Sequence, residues 1–260
     1  MPPHPPRSKL VYLSLYKMPL TLRDCVAEFV GKPPGSIKIV MIHLRRAVER
    51  EAGIREMEGV MLTPFEIVDA VEGSSLIAAG HPTKCGIDPG VVRTAGEIGC
   101  IASHVAAARA ALAEGVSHMV VFEDDCAPSP GCCVEMVRGY LQSVRRAVEK
   151  FEIIGTDQFL LLSTCGCYSW RSVAPGVKAT NHFNGSHAYI MGRGTMQKLV
   201  DTYEDLLRKG LTAPVDGILP LLLQKDRRWA LCPEKDTAIF QQNRAIPSYV
   251  VSNGTELRTG

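Results

Sequence analysis

The chain has 260 residues, of which 46% are hydrophobic and 22% charged, and its 29 Lys+Arg against 27 Asp+Glu leave a formal net charge of +2. That length suits one large domain, and the composition excludes a disordered chain, a collagen-like chain and a disulfide-stapled miniprotein. Near balance of charge offers no basic face for nucleic acid, and no run approaches the roughly 18 apolar residues needed to cross a bilayer.

Residues 1–36 read as an N-terminal appendage of unknown role, and residues 37–260 as a single domain. The appendage opens on four prolines in MPPHPPRSK and closes on Pro33-Pro34-Gly35, with a short amphipathic helix expected over LTLRDCVAEFV. Ile37 to Leu44 is a β-branched apolar run of strand length, followed by helix formers from Arg45 to Met57. Phe65 to Val68 reads as a second strand. Residues 74–93 then read as loop, rich in Gly and Pro. Thr94 and Glu97 make a capping box that opens a helix over 95–114, with Gly115 as its stop. His118 to Phe122 is a buried-type strand running into Glu123-Asp124-Asp125. Further on, a helix is expected over Gly131 to Lys150 and strands over Phe159 to Leu162 and Ala188 to Met191. Helices follow over Thr195 to Lys209 and from Ile218 to Leu223, and residues 165–187 read as a loop. Repeated β-α-β order argues for helices on both faces of a mostly parallel sheet.

The nine cysteines include the neighbours Cys132 and Cys133 and no C-x-x-C pair. Their odd number and spacing fit reduced thiols better than a disulfide framework or a zinc ribbon. With no secretory leader at the start, a cytoplasmic location is expected.

Open parallel sheets bind ligands beyond the carboxyl ends of their strands. Three groups of polar residues fall there: Arg45, Arg46 and Arg50 after the first strand, Asp69 after the second, and Glu123-Asp124-Asp125 after the third. Three consecutive carboxylates repel one another unless a cation compensates them. In an extended backbone Glu123 and Asp125 share a side, suited to Mn²⁺ or Mg²⁺ and, through it, a nucleotide's phosphates. A solvated acidic turn leading into Pro128 and Pro130 accounts for the same residues without chemistry. A phosphohydrolase would want an Asp-x-Asp-x-Thr/Val nucleophile, which Asp125-Cys-Ala-Pro-Ser does not supply.

Several separated blocks resemble glycosyltransferase family 25. They are Val40-Met-Ile-His-Leu-Arg-Arg-Ala-Val-Glu-Arg50, Phe65-Glu-Ile-Val-Asp-Ala-Val-Glu-Gly73, Gly96-Glu-Ile-Gly-Cys-Ile-Ala-Ser-His104 and Val120-Val-Phe-Glu-Asp-Asp125. Ala188-Tyr-Ile-Met191, Pro214-Val-Asp216, and Gln242 with Pro247-Ser248 follow in the family's order. The resemblance implies a GT-A-type nucleotide-diphospho-sugar transferase fold, an α/β architecture with a mixed, mostly parallel sheet flanked by helices. It also implies a UDP-sugar donor, typically UDP-galactose, a divalent metal, and inversion at the anomeric carbon. The acceptor class it implies is a glycan or glycolipid such as lipooligosaccharide, with peripheral membrane contact as a further expectation.

Carried over residue by residue, Asp125 is the main metal ligand and Glu123 a second ligand or a ribose contact. Asp216 is the general base that takes the acceptor hydroxyl's proton, although it could equally cap a helix. Arg46, Arg50, Asp69, Ala70, Ser103, His104, Glu123 and Asp124 form the donor site, with His187 a weaker candidate. His43 and Glu72 depart from the family's usual Asn and Asp and are expected to touch the uridine pocket. Tyr168, Trp170, His182 and Phe183 are candidates to stack on a sugar ring. The alternative to an enzyme is a catalytically silent member that binds a glycan or a protein.

Overall fold

A computed structural model describes residues 19–151, 159–163, 167–225, 230–234 and 239–242. Strand β1 (Ile37–His43) is buried on both faces. Ile37, Ile39 and Met41 point into one core cluster and Val40 and Ile42 into another, as the two-residue side-chain period requires. β1 pairs in parallel with β2 (Glu66–Asp69) and β3 (His118–Glu123). All three strands therefore end on the same side of the molecule.

The other strands of the sheet are β5 (Phe159–Leu161), β6 (Cys167–Ala174), β7 (Val177–Phe183), β8 (Ala188–Gly192) and β9 (Ala230–Pro233). Among the described residues they complete an eight-stranded sheet in the order β2-β1-β3-β8-β5-β9-β7-β6. The sheet is mixed. β8 lies antiparallel between β3 and β5, β5 and β9 are parallel, and β9-β7-β6 is antiparallel. A two-stranded ribbon joins β4 (Cys126–Pro128) to β10 (Phe240–Gln242), placing Gln242 opposite Cys126.

Helices cover both faces. α1 (Leu22–Val30), α2 (Glu51–Met61) and α5 (Val134–Phe151) pack on one core, and α4 (Ala95–Ala113), α6 (Arg193–Arg208) and α7 (Val215–Lys225) on the other. α4 opens with the expected capping box between Thr94 and Glu97.

Several sequence expectations change. The helix expected within residues 1–36 forms and joins the core: Leu22, Cys25, Val26 and Ala27 are buried, and α1 packs against α5 and β1. A turn and a short 3₁₀ segment (Val48–Arg50) delay α2 to Glu51. The stretch read as loop over 74–93 begins inside a short helix, α3 (Gly73–Ala78). That read over 165–187 holds the hairpin β6–β7, turned at Gly176 with φ of 75°. Val177, Ala179 and Phe183, all buried at even spacing behind Pro175-Gly176, are the signal for the hairpin. Phe183 is a core residue stacked on Phe159 at 5.4 Å, so it is no sugar platform, whereas His182 is exposed. The Tyr168 and Trp170 side chains, and Pro247 and Ser248, lie outside the described residues.

Candidate active site

A cavity of about 420 Å³ opens at the carboxyl ends of β1, β2 and β3, walled by the starts of α3 and α4. Two glycines let these walls meet. A Cβ on Gly73 would stand 1.8 Å from the Ala95 carbonyl oxygen, and one on Gly99 would stand 2.5 Å from the Val71 carbonyl oxygen. Ser103 locks the same junction, accepting the Val71 N–H at 2.8 Å and donating to the Gly99 carbonyl at 2.6 Å. Its observed role is thus to hold the cavity wall.

The three carboxylates after β3 all line the cavity, but they do different things. The backbone turns at Asp124 and Asp125 instead of staying extended. Asp124 is buried and fully engaged: its Oδ2 meets His43 Nδ1 at 3.0 Å and the Leu44 N–H at 3.0 Å, and its Oδ1 meets the Arg50 guanidinium. His43 therefore holds Asp124 and is not among the residues that line the cavity. Arg50 is buried, and its charge is committed to Asp124.

Glu123 Oε1 accepts from the Ser186 hydroxyl at 2.8 Å and meets His104 Nε2 at 3.2 Å. Burial works to raise the Glu123 carboxyl, but His104, His187 and Ser186 outweigh it and hold the group down at about 2. Asp125 is the opposite case. Burial and then the charge of Glu123 push it up to about 6, against the pull of Gln242 and Arg50. Gln242 Nε2 donates to Asp125 Oδ2 at 2.9 Å, while Oδ1 is buried with no hydrogen-bond partner among the described residues. An orphaned buried carboxylate oxygen beside an ionised Glu is the arrangement a hard divalent cation satisfies, so the residues present fit such an ion.

Around the cavity the remaining expected residues divide. Ala70 and His104 line it. Arg46 and Glu72 stand at its rim as an ion pair of 2.9 Å, Arg46 exposed and Glu72 half-buried. Asp69 does not line it; its carboxylate is clasped by Arg45 on the surface at 2.6 and 2.5 Å. Asp216, in the first turn of α7, is also outside the lining and accepts the Gly185 N–H at 3.3 Å. Burial, then the charges of Glu123 and Glu97, raise its carboxyl. Burial lowers His187, against Glu123. Two residues with evident roles were not singled out in the sequence. They are Ser186, legible only as the neighbour of His187, and Tyr189, whose hydroxyl lies 2.6 Å from His104 Nδ1.

The first four of the family's blocks, distant in sequence, thus bring residues to one cavity. The model of glycosyltransferase family 25 (LPS biosynthesis protein) matches residues 36–219, most of the chain. The chain belongs to glycosyltransferase family 25. A curated relative, the lacto-N-neotetraose biosynthesis glycosyltransferase LgtB of Neisseria meningitidis, is 27% identical over 192 residues, covering 69% of this chain and 65% of its own length. Among solved structures, apo UDP-glucose pyrophosphorylase aligns over 82% of this chain and 77% of its own at 10% identity. Its TM-score of 0.36 is too low to bear on the fold or the chemistry of this family 25 chain. No described helix of this family 25 chain is long and apolar enough to cross a membrane.

Proposed function

We propose that this family 25 chain is a metal-assisted, inverting hexosyltransferase. It would move a hexose, galactose in the first place, from a UDP-sugar to a glycan or glycolipid acceptor of the lipooligosaccharide kind. The observation that carries the reading is the buried, orphaned Oδ1 of Asp125, a residue that lines the same cavity as the ionised Glu123. These two carboxylates would hold Mn²⁺ or Mg²⁺. When bound, such an ion supplies positive charge to the donor's diphosphate and to the departing UDP.

The chain's own groups do the rest. Arg46, at the rim, can turn from Glu72 to a phosphate at little cost, because an exposed pair is weak. Arg50 and His43 keep Asp124 from competing for the cation. Their grip also fixes the end of β1 against the end of β3 through the Leu44 N–H. Ala70 leaves room beside the wall. Asp216 is proposed as the base that accepts the acceptor hydroxyl's proton, and its raised affinity for protons suits that work. The domain would run over residues 37–260 with α1 packed on it. The enzyme would act in the cytoplasm, at the membrane surface where a glycolipid acceptor lies.

The test is UDP release from UDP-galactose by the purified chain with and without Mn²⁺. Metal-dependent release that Asp125→Asn abolishes is the expected result. Acceptor binding without any UDP affinity would instead identify a silent binding module.

A further inference from the structure

Cys100 and His104 stand one helical turn apart on α4 and face β3, so both side chains reach toward Glu123. One ligand atom from each of Cys100, His104 and Glu123 lies within 4.8 Å of the other two. Ligands held about 2.0–2.3 Å from a tetrahedral zinc stand roughly 3.3–3.6 Å apart, so a small inward movement closes this triangle on an ion. The orientation is already set. Tyr189 OH holds His104 Nδ1 at 2.6 Å, which turns Nε2 toward Glu123, and Ser186 fixes the Glu123 oxygen. A metal-bound imidazole has this arrangement, with its second nitrogen held by an outer partner. A tyrosine hydroxyl serves equally well, donating to the bare Nδ1 or accepting from Nδ1–H once Nε2 carries an ion. All three residues line the cavity, which leaves the fourth side open to a water or an incoming group.

We infer that Cys100, His104 and Glu123 form a site for a thiophilic divalent cation, Zn²⁺ in the first place, distinct from the oxygen-ligand site at Asp125. Thiolate and imidazole select Zn²⁺ or Co²⁺, whereas Mg²⁺ and Mn²⁺ prefer carboxylate and water. Binding replaces the thiol proton, which leaves for solvent. Because Glu123 belongs to both donor sets, the thiophilic ion and Mn²⁺ exclude one another, and Zn²⁺ acts as an inhibitor. This last consequence rests on the proposed metal-assisted transfer; the cation site itself does not.

Titrating the full chain with Co²⁺ separates the two readings. A thiolate-to-cobalt charge-transfer band should develop in the near ultraviolet and vanish when equimolar Zn²⁺ is added. Cys100→Ser should remove the band with the far-ultraviolet circular dichroism unchanged, and Cys133→Ser, whose thiol lies outside the cavity, should keep it. Tyr189→Phe should weaken Co²⁺ binding by about 10–100-fold through loss of the imidazole's outer partner. No band in the unaltered protein, or a band that survives Cys100→Ser, overturns the site. A band in a protein that never transfers sugar leaves the site standing and sinks the proposed function. Mn²⁺-dependent UDP release that Zn²⁺ fails to inhibit, in a protein with the band, overturns the shared use of Glu123.

Discussion

Two arginine–aspartate pairs stand at the carboxyl ends of the same parallel strands, and their surroundings give them opposite weight. Arg50–Asp124 is buried, with side chains 5% and 7% exposed, whereas Arg45–Asp69 is at the surface with 80% and 53% exposed. A buried charge that loses its partner has no water to turn to, while an exposed one is resolvated at once. Asp125 extends the comparison. It sits next to Asp124 and is just as buried, but only one of its oxygens is hydrogen-bonded.

Breaking the buried pair should have the largest effect. Arg50→Ala takes the guanidinium from buried Asp124, leaving it His43 and the Leu44 N–H, and is expected to cost about 3–5 kcal/mol, read by chemical denaturation. Replacing both members with apolar residues of similar volume should cost far less than either single change. A double variant as unstable as the singles would mean that His43 and Leu44, rather than Arg50, govern the site.

Next comes Asp125. Its folded pKa, near 6, lies above the ordinary 3.8, so the fold favours the neutral acid and loses stability as pH rises from about 4 through 6. Asp125→Asn should therefore stabilise the metal-free protein at pH 7.5 by about 2–3 kcal/mol and do nothing near pH 4, while abolishing metal-dependent transfer. Mn²⁺ should in turn raise the melting temperature of the unaltered protein more at pH 7.5 than at pH 5. Glu123 runs the other way. Held at about 2, it contributes stability above pH 4.5 that is lost as pH falls toward 2.

Gly73→Ala tests the cavity wall independently of charge. Its Cβ would overlap the Ala95 carbonyl, and overpacking of that kind costs about 1–3 kcal/mol. UDP affinity should fall with stability if α3 and α4 set the cavity's shape. The smallest effect is expected at the exposed pair: Arg45→Ala and Asp69→Ala should leave the melting temperature unchanged and UDP release near normal. A large loss on either would return Asp69 to the donor site, where the family resemblance put it.

Much of the architecture was legible because its signals are local. The capping box at Thr94 and Glu97, the apolar runs of β1 and β3, and the acidic stretch after β3 each need only a few neighbouring residues. The hairpin over 167–183 was harder to see because Asn181, polar on the phase of Val177, Ala179 and Phe183, interrupts the two-residue alternation. Helix α1 was legible as a helix but not as core, because the surfaces that bury it, α5 and β1, lie elsewhere in the chain.

The sequence by itself determined that a cluster of carboxylates would sit at the end of a central strand, within reach of arginines, in a family 25 chain. Hydrophobic periodicity and short motifs are properties of adjacent residues, and they suffice for that. Only the tertiary structure decided which carboxylate is neutralised and which is left with an unpartnered oxygen. Arg50 and His43 reach Asp124 across 74 and 81 residues, and Gln242 reaches Asp125 across 117. The electrostatics of a buried group depend on which charges surround it in space, and folding assembles those neighbours from all along the chain.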